Sequence, residues 1–111
     1  MCSRHTEVVS DDDFTVELES DQDDVLTVRL DGELDIAHAA WVDDTLAAAG
    51  AHHRCVAVEL DALSFLDSSG IRVLLSLKSR GRELGINVSF GKPSAAVERT
   101  LAAAGLSDLV D

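Results

Sequence analysis

The sequence predicts an α/β fold: one domain in which a small mixed four-stranded sheet carries helices packed on it. Three observations lead there. A chain of 111 residues is near the usual size of one domain. Its apolar residues alternate with polar ones early in the chain, then repeat at helical spacing in three later stretches. Short apolar runs separate those stretches, so strands and helices interleave and the later strand connections are crossovers.

The elements follow in order. Residues 1–13 read as an acidic, flexible leader in which Asp11-Asp12-Asp13 is a solvated charge run. The domain proper is assigned to residues 14–111. Phe14 to Ser20, FTVELES, alternates apolar and acidic residues, the mark of a half-exposed strand. Val25 to Asp35, VLTVRLDGELD, is a second alternating strand, and the DQDD between the two predicts an antiparallel hairpin. From Ala37 to Ala49 the spacing turns helical, with Val42, Leu46 and Ala49 on one face, Asp35 as candidate N-cap and Gly50 as a left-handed stop. Cys55 to Leu60, CVAVEL, is apolar almost throughout, which suits a central strand covered on both faces. A short DALSF link leads to a helix from about Ser68 to Leu84, closed by Gly85, with Ile71, Leu74, Leu75 and Leu77 as its inward stripe. Ile86 to Phe90 is the fourth strand. Ser94 caps a third helix with Val97, Leu101 and Ala104 inward; Gly105 ends it, and Leu106 is placed to meet Leu101.

Composition narrows the function. A net charge of −12 leaves no cluster of Lys and Arg to displace counterions, which argues against direct nucleic-acid binding and against an anionic membrane. The charge is uneven: residues 1–35 hold 12 of the 21 acids, and their only bases are Arg4 and Arg29. A basic protein surface would suit that end. No run approaches the roughly 18 apolar residues of a membrane span, and the N-terminus lacks a signal peptide's apolar region, so a cytoplasmic location is expected. Cys2 and Cys55 sit in unlike contexts, which argues against a disulfide framework. His52-His53-Arg54-Cys55, even with Cys2 and His5, matches no familiar zinc spacing and reads as a polar turn. No metal or other cofactor is expected.

Catalytic patterns fare poorly. A serine nucleophile needs a base and an oxyanion site, yet the candidate serine lies in D-S-S-G and all four histidines precede it. FGKPS, Phe90 to Ser94, lacks the upstream glycine of a phosphate-binding loop and breaks the Lys-Ser pair with a proline. Asp43 and Asp44 are adjacent, diverge on a helix and read as solvated surface. The chain is not expected to be an enzyme.

What remains is Asp67-Ser68-Ser69-Gly70, where an apolar run meets a helix. A cap is the simplest use of such residues. The duplication lets one oxygen satisfy the free N–H groups while another stays available, and Gly70 permits close approach by another backbone or a bulky group. A helix start also tolerates an added phosphate.

Here DGELDIAHA, VAVELDALSFLDSSGIRVLLSLKSRGRELGINVSF and AVERTLAAAGLSDLV resemble successive segments of STAS domains of the anti-sigma factor antagonist type. The resemblance covers about residues 25 to 110. It implies a small mixed sheet flanked by helices and phosphorylation of Ser68, the serine directly after the motif aspartate. The modifying partner in such proteins is an ATP-binding serine kinase that is also the anti-sigma factor, and binding it frees a sigma factor. The resemblance places Glu33 and Asp35 of the Gly32-Glu33-Leu34-Asp35 turn near the same partner surface as Asp67, Ser68, Ser69, Gly70 and Arg72. Two other readings stay open: a STAS docking subunit of a lipid-transport or sensory complex, never phosphorylated, and a receiver-like domain with Asp67 as phosphate acceptor.

Overall fold

A computed structural model describes residues 5–110. Its elements run in the order β1 (His5–Asp11), β2 (Phe14–Ser20), β3 (Val25–Leu34), α1 (Ile36–Gly50), β4 (Cys55–Glu59), β5 (Leu63–Leu66), α2 (Ser68–Leu84), β6 (Asn87–Gly91) and α3 (Ala95–Ala103), followed by a 3-10 turn at Ser107–Leu109. The strand order is β1-β2-β3-β4-β6, with β5 added to the far end of β3. β1, β2 and β3 form an antiparallel meander, while β4, β5 and β6 join in parallel.

The mixed sheet and its helices agree with the sequence reading, but the sheet has six strands, not four. The first addition is β1, from residues read above as leader. Asp11 pairs with Phe14, so Asp12 and Asp13 form a two-residue turn, with Asp12 at φ 54°. Hairpins of this length need left-handed backbone, which aspartate tolerates. The charge run is therefore a turn, and Val9, opposite Val16, packs on the core. Cys2, with the rest of residues 1–4, lies outside the described residues. The second addition is β5, read above as part of a link. Leu63, Phe65 and Leu66 pair with Gly32, Glu33 and Leu34, with a register shift between Gly32 and Glu33, and the strand's four residues are too few to show a period.

The helices cover one face of the sheet. Leu26, Val28 and Leu30 of β3, Val56 and Val58 of β4, and Val88 and Phe90 of β6 are buried there against Val42 and Leu46 of α1 and Val73, Leu74 and Leu77 of α2. Strand β4 is thus not covered on both faces: Cys55, Ala57 and Glu59 alternate with the buried valines and are half-exposed. Small apolar residues on its open side disguised the alternation.

Several side chains depart from their expected places. Leu75 is exposed and Val73 takes its place in the stripe, since the buried row runs Gly70, Val73, Leu74, Leu77 and Gly81 at helical spacing and Leu75 lies off that row. Ala104 is exposed. Gly50 is helical and buried, where a Cβ would stand 3.3 Å from Val56 Cγ2, and the cap after it is Ala51 with right-handed backbone. Asp43 is half-buried and faces Arg80 of α2 at 3.5 Å, so it belongs to the helix interface and not to the solvated surface. The ends of α2 and α3 follow the expectation. Gly85 adopts φ 73°, and Gly105 adopts φ 74° with its N–H bonded to Ala102 O while Leu106 N–H reaches Leu101 O, the paired bonds of a Schellman stop.

Candidate functional site

The start of α2 divides its polar atoms between structure and solvent. Asp67 is the N-cap, with extended backbone, and its Oδ1 accepts the N–H groups of Ser69 at 2.9 Å and Gly70 at 3.1 Å. Its own N–H donates to Leu34 O at 3.3 Å, which fastens the turn to the end of β3. The carboxylate therefore does the capping, and no serine hydroxyl is needed for it. Ser68, the first helical residue, is exposed, and its hydroxyl has no hydrogen-bond partner among the described residues. Ser69 is half-buried within the first turn.

Gly70 sits elsewhere than a partner contact would. It is buried, and a Cβ there would stand 2.6 Å from Leu34 O and 2.5 Å from Leu66 Cδ1. The close approach that it permits is within this chain, between α2 and the ends of β3 and β5. Its missing side chain sets the height of Ser68 above the sheet.

Asp35 also serves structure. It is the N-cap of α1, accepting the Ala37 N–H at 3.0 Å, and is half-buried. His38, one turn on, is 11% exposed and brings Nδ1 to 3.3 Å from Asp35 Oδ1, without hydrogen-bond alignment, and Nε2 to 3.4 Å from Asp13 Oδ1. The start of α1 meets the beginning of β2 here, where the Phe14 and His38 rings pack with centroids 5.3 Å apart. Glu33, at the end of β3, is exposed and pairs in register with Phe65.

These residues share one pole, where β3 and β5 end and α1 and α2 begin. Two apolar residues exposed there escaped the sequence reading: Ile36, 81% exposed beside Asp35, and Phe65, 46% exposed three residues before Ser68. Leu75, 41% exposed, continues the stripe of Ser68 and Arg72 along α2 at positions i, i+4 and i+7. Between the helices runs an open groove of about 350 Å³ lined by Ile36, Ala39 and Ala40 of α1 and Ser69, Arg72 and Ser76 of α2. Nothing in the sequence marked Ile36 or Phe65 as exposed, since an apolar residue beside a cap or in a strand reads first as core.

The remaining candidates fall away from this pole. His53 Nδ1 lies 3.0 Å from Ala49 O, in the turn after α1. Among the described residues no three of His, Cys, Asp and Glu are grouped to hold a metal ion, and no helix is long and apolar enough to cross a membrane.

Comparison with known proteins gives a match to the STAS domain over residues 17–111. The chain belongs to the STAS domain family. No curated protein matches it by sequence. Among solved structures, this STAS domain is similar to the anti-sigma factor antagonist SpoIIAA in its unphosphorylated form, with a TM-score of 0.73, 22% identity, and coverage of 86% of this chain and 85% of that one. An anti-sigma factor antagonist from Mycobacterium paratuberculosis gives a TM-score of 0.68 at 23% identity, covering 97% of this chain and 83% of that one. The STAS fold also recurs in SLC26A9, with a TM-score of 0.69 at 16% identity, where 79% of this chain matches 17% of that one. At such identities the likeness carries the fold. The roles of individual residues rest on the geometry.

Proposed function

We propose that this STAS domain is an anti-sigma factor antagonist, a non-enzymatic cytoplasmic protein that binds an anti-sigma factor serine kinase, releases a sigma factor and is switched off by phosphorylation of Ser68. One observation carries the reading. Asp67 alone caps α2, which leaves the Ser68 hydroxyl exposed and without a hydrogen-bond partner among the described residues, on the pole that also exposes Ile36 and Phe65. Large apolar side chains exposed on the same pole as a free hydroxyl suit a protein partner, since exposed apolar surface is what such partners cover. The likeness to SpoIIAA, solved in both unphosphorylated and phosphorylated forms, supports the same reading.

The division of labour follows from the chain's own groups. ATP, magnesium and the base that accepts the serine proton come from the kinase. This chain presents the hydroxyl on a rigid helix start and supplies the docking surface: Glu33 and Ile36 on one side, Phe65 behind, and Ser69, Arg72 and Leu75 along α2. Asp35 and Gly70 act by holding that surface in place. A phosphate on Ser68 brings about −1.5 to −2 charge beside the Asp67 carboxylate and onto a surface fitted to a hydroxyl. Its cost falls on the complex.

The test is incubation with the kinase and ATP, read by site-resolved mass spectrometry. Ser68→Ala is expected to abolish modification, and Ser69→Ala to leave most of it. Phosphate mainly on Ser69, or a hydroxylamine-labile phosphate on Asp67, would overturn the assignment. A second reading is a docking subunit that is never phosphorylated, and the absence of any modification by the kinase would support it; in SLC26A9 the matching fold is 17% of a longer chain.

A further inference from the structure

The two edges of the sheet are finished differently. At the β6 edge, Lys78 of α2 donates its Nζ to Val88 O at 2.9 Å, so a side chain already occupies an outward carbonyl. At the β1 edge, β2 pairs with one side of the strand from His5 to Asp11, and no strand lies on the other side among the described residues. Alternate residues of β1 therefore direct their N–H and C=O groups outward. Such an edge is a template for another strand. His5, Thr6, Glu7, Val8 and Ser10 are exposed, Val8 to 59%.

We propose that β1 pairs with β1 of a second copy of this chain, antiparallel about a two-fold axis through Val8, joining two six-stranded sheets into one. The side-chain sequence selects both the partner and the register. A two-fold axis normal to the sheet keeps each face continuous, so residues pair only with others on the same face. Three registers then overlap well. Centred on Glu7, the axis sets that carboxylate opposite its own copy. Centred on Val9, it sets Glu7 opposite Asp11. Like charges directly opposite are unfavourable, and both arrangements contain them. Centred on Val8, His5 meets Asp11, Thr6 meets Ser10, Glu7 meets Val9 and Val8 meets itself. All seven residues are paired, no like charges oppose, and the exposed Val8 is covered by its copy.

The interface is small, so the dimer belongs to the weak class. Sedimentation of the full chain from about 10 μM to about 1 mM should show the mean mass rising toward that of a dimer. Val8→Lys, which sets two ammonium groups opposite each other, should remain monomeric over that range with an unchanged melting temperature. In a Cys2→Ser, Cys55→Ser background, Val8→Cys should cross-link under a mild oxidant at least tenfold faster than Val9→Cys, whose mate across the axis is Glu7 and whose own register still sets Glu7 opposite Asp11. A wild-type chain that stays monomeric at the highest concentration overturns the proposal and leaves this edge to a different protein. Equal dimerisation of Val8→Lys, or equal cross-linking at the two positions, also overturns it.

Discussion

Gly70→Ala asks whether the start of α2 is set by contact with the sheet or by helix preference alone. A Cβ at this buried position stands 2.5 Å from Leu66 Cδ1, 2.6 Å from Leu34 O and 2.9 Å from Leu34 Cγ. The Leu66 methyl can swing aside. Leu34 O cannot, because it accepts the Asp67 N–H at 3.3 Å and belongs to the last rung of the β3–β5 ladder. The helix start must lift. Overfilling a packed site costs about 1–3 kcal/mol, and a backbone obstacle favours the upper part of that range. Replacing glycine by alanine inside a helix stabilises by up to about 1 kcal/mol. The net expectation is a loss of about 1–2 kcal/mol, or a fall in Tm of roughly 5–10 °C for a domain of this size. Thermal and urea unfolding measure it, and the rate of Ser68 phosphorylation should fall as well, although the hydroxyl itself is untouched. A melting temperature at or above that of the wild type would refute the reasoning, since helix preference would then act unopposed.

Other perturbations separate cap, contact and charge. Asp67→Ala should cost about 1–2 kcal/mol in thermal unfolding, because two N–H groups lose their acceptor, while Asp67→Asn, which keeps an oxygen, should cost much less; equal losses would show that charge, not capping, is at work. Asp35→Ala should cost about 1 kcal/mol as the lost cap of α1, and a variant of wild-type stability with impaired kinase binding would restore Asp35 to direct contact. Ile36→Ser and Phe65→Ser should each weaken kinase binding about tenfold or more in a titration, with little change in Tm, if these exposed side chains are anchors of the interface. Phosphorylation of Ser68 should leave the melting temperature nearly unchanged and confine amide shifts to the pole around α2; shifts spread across the whole sheet would mean that refolding carries the signal.

Periodicity made most of the architecture legible. Alternation in FTVELES and VLTVRL placed the β2–β3 hairpin, and the helical stripes of Val42 and Leu46 and of Leu74 and Leu77 placed two crossovers. It failed where local signals competed. Three consecutive aspartates outweighed the Val9 that ties β1 to the core, and LSFL carries its pairing in backbone bonds that leave no repeat in four residues. At the site, DSSG announced both a cap and a free hydroxyl without saying which residue did which. That depended on the reach of the Asp67 carboxylate to two N–H groups, a matter of backbone angle. Ile36 and Phe65 gave no periodic signal, because an exposed apolar residue is odd only once its surroundings are known.

The sharing of β3 among three partners has a consequence for the order in which the molecule assembles. Its antiparallel partner β2 is reached through a short turn, and β1 follows through another. Its parallel partners lie much further along the chain: Val25 meets Cys55, and Gly32 meets Leu63, each some thirty residues away. Local hairpins close in microseconds, whereas distant strands must first overcome the entropy of a long loop. The meander is therefore suited to form early and to serve as the template on which β4 and β5 are laid. The β5 rungs, and with them the seat of Ser68, come from the slower class of contacts. Mutations that slow folding should accordingly concentrate in the early hairpins, and those that mainly speed unfolding at the phosphorylation pole.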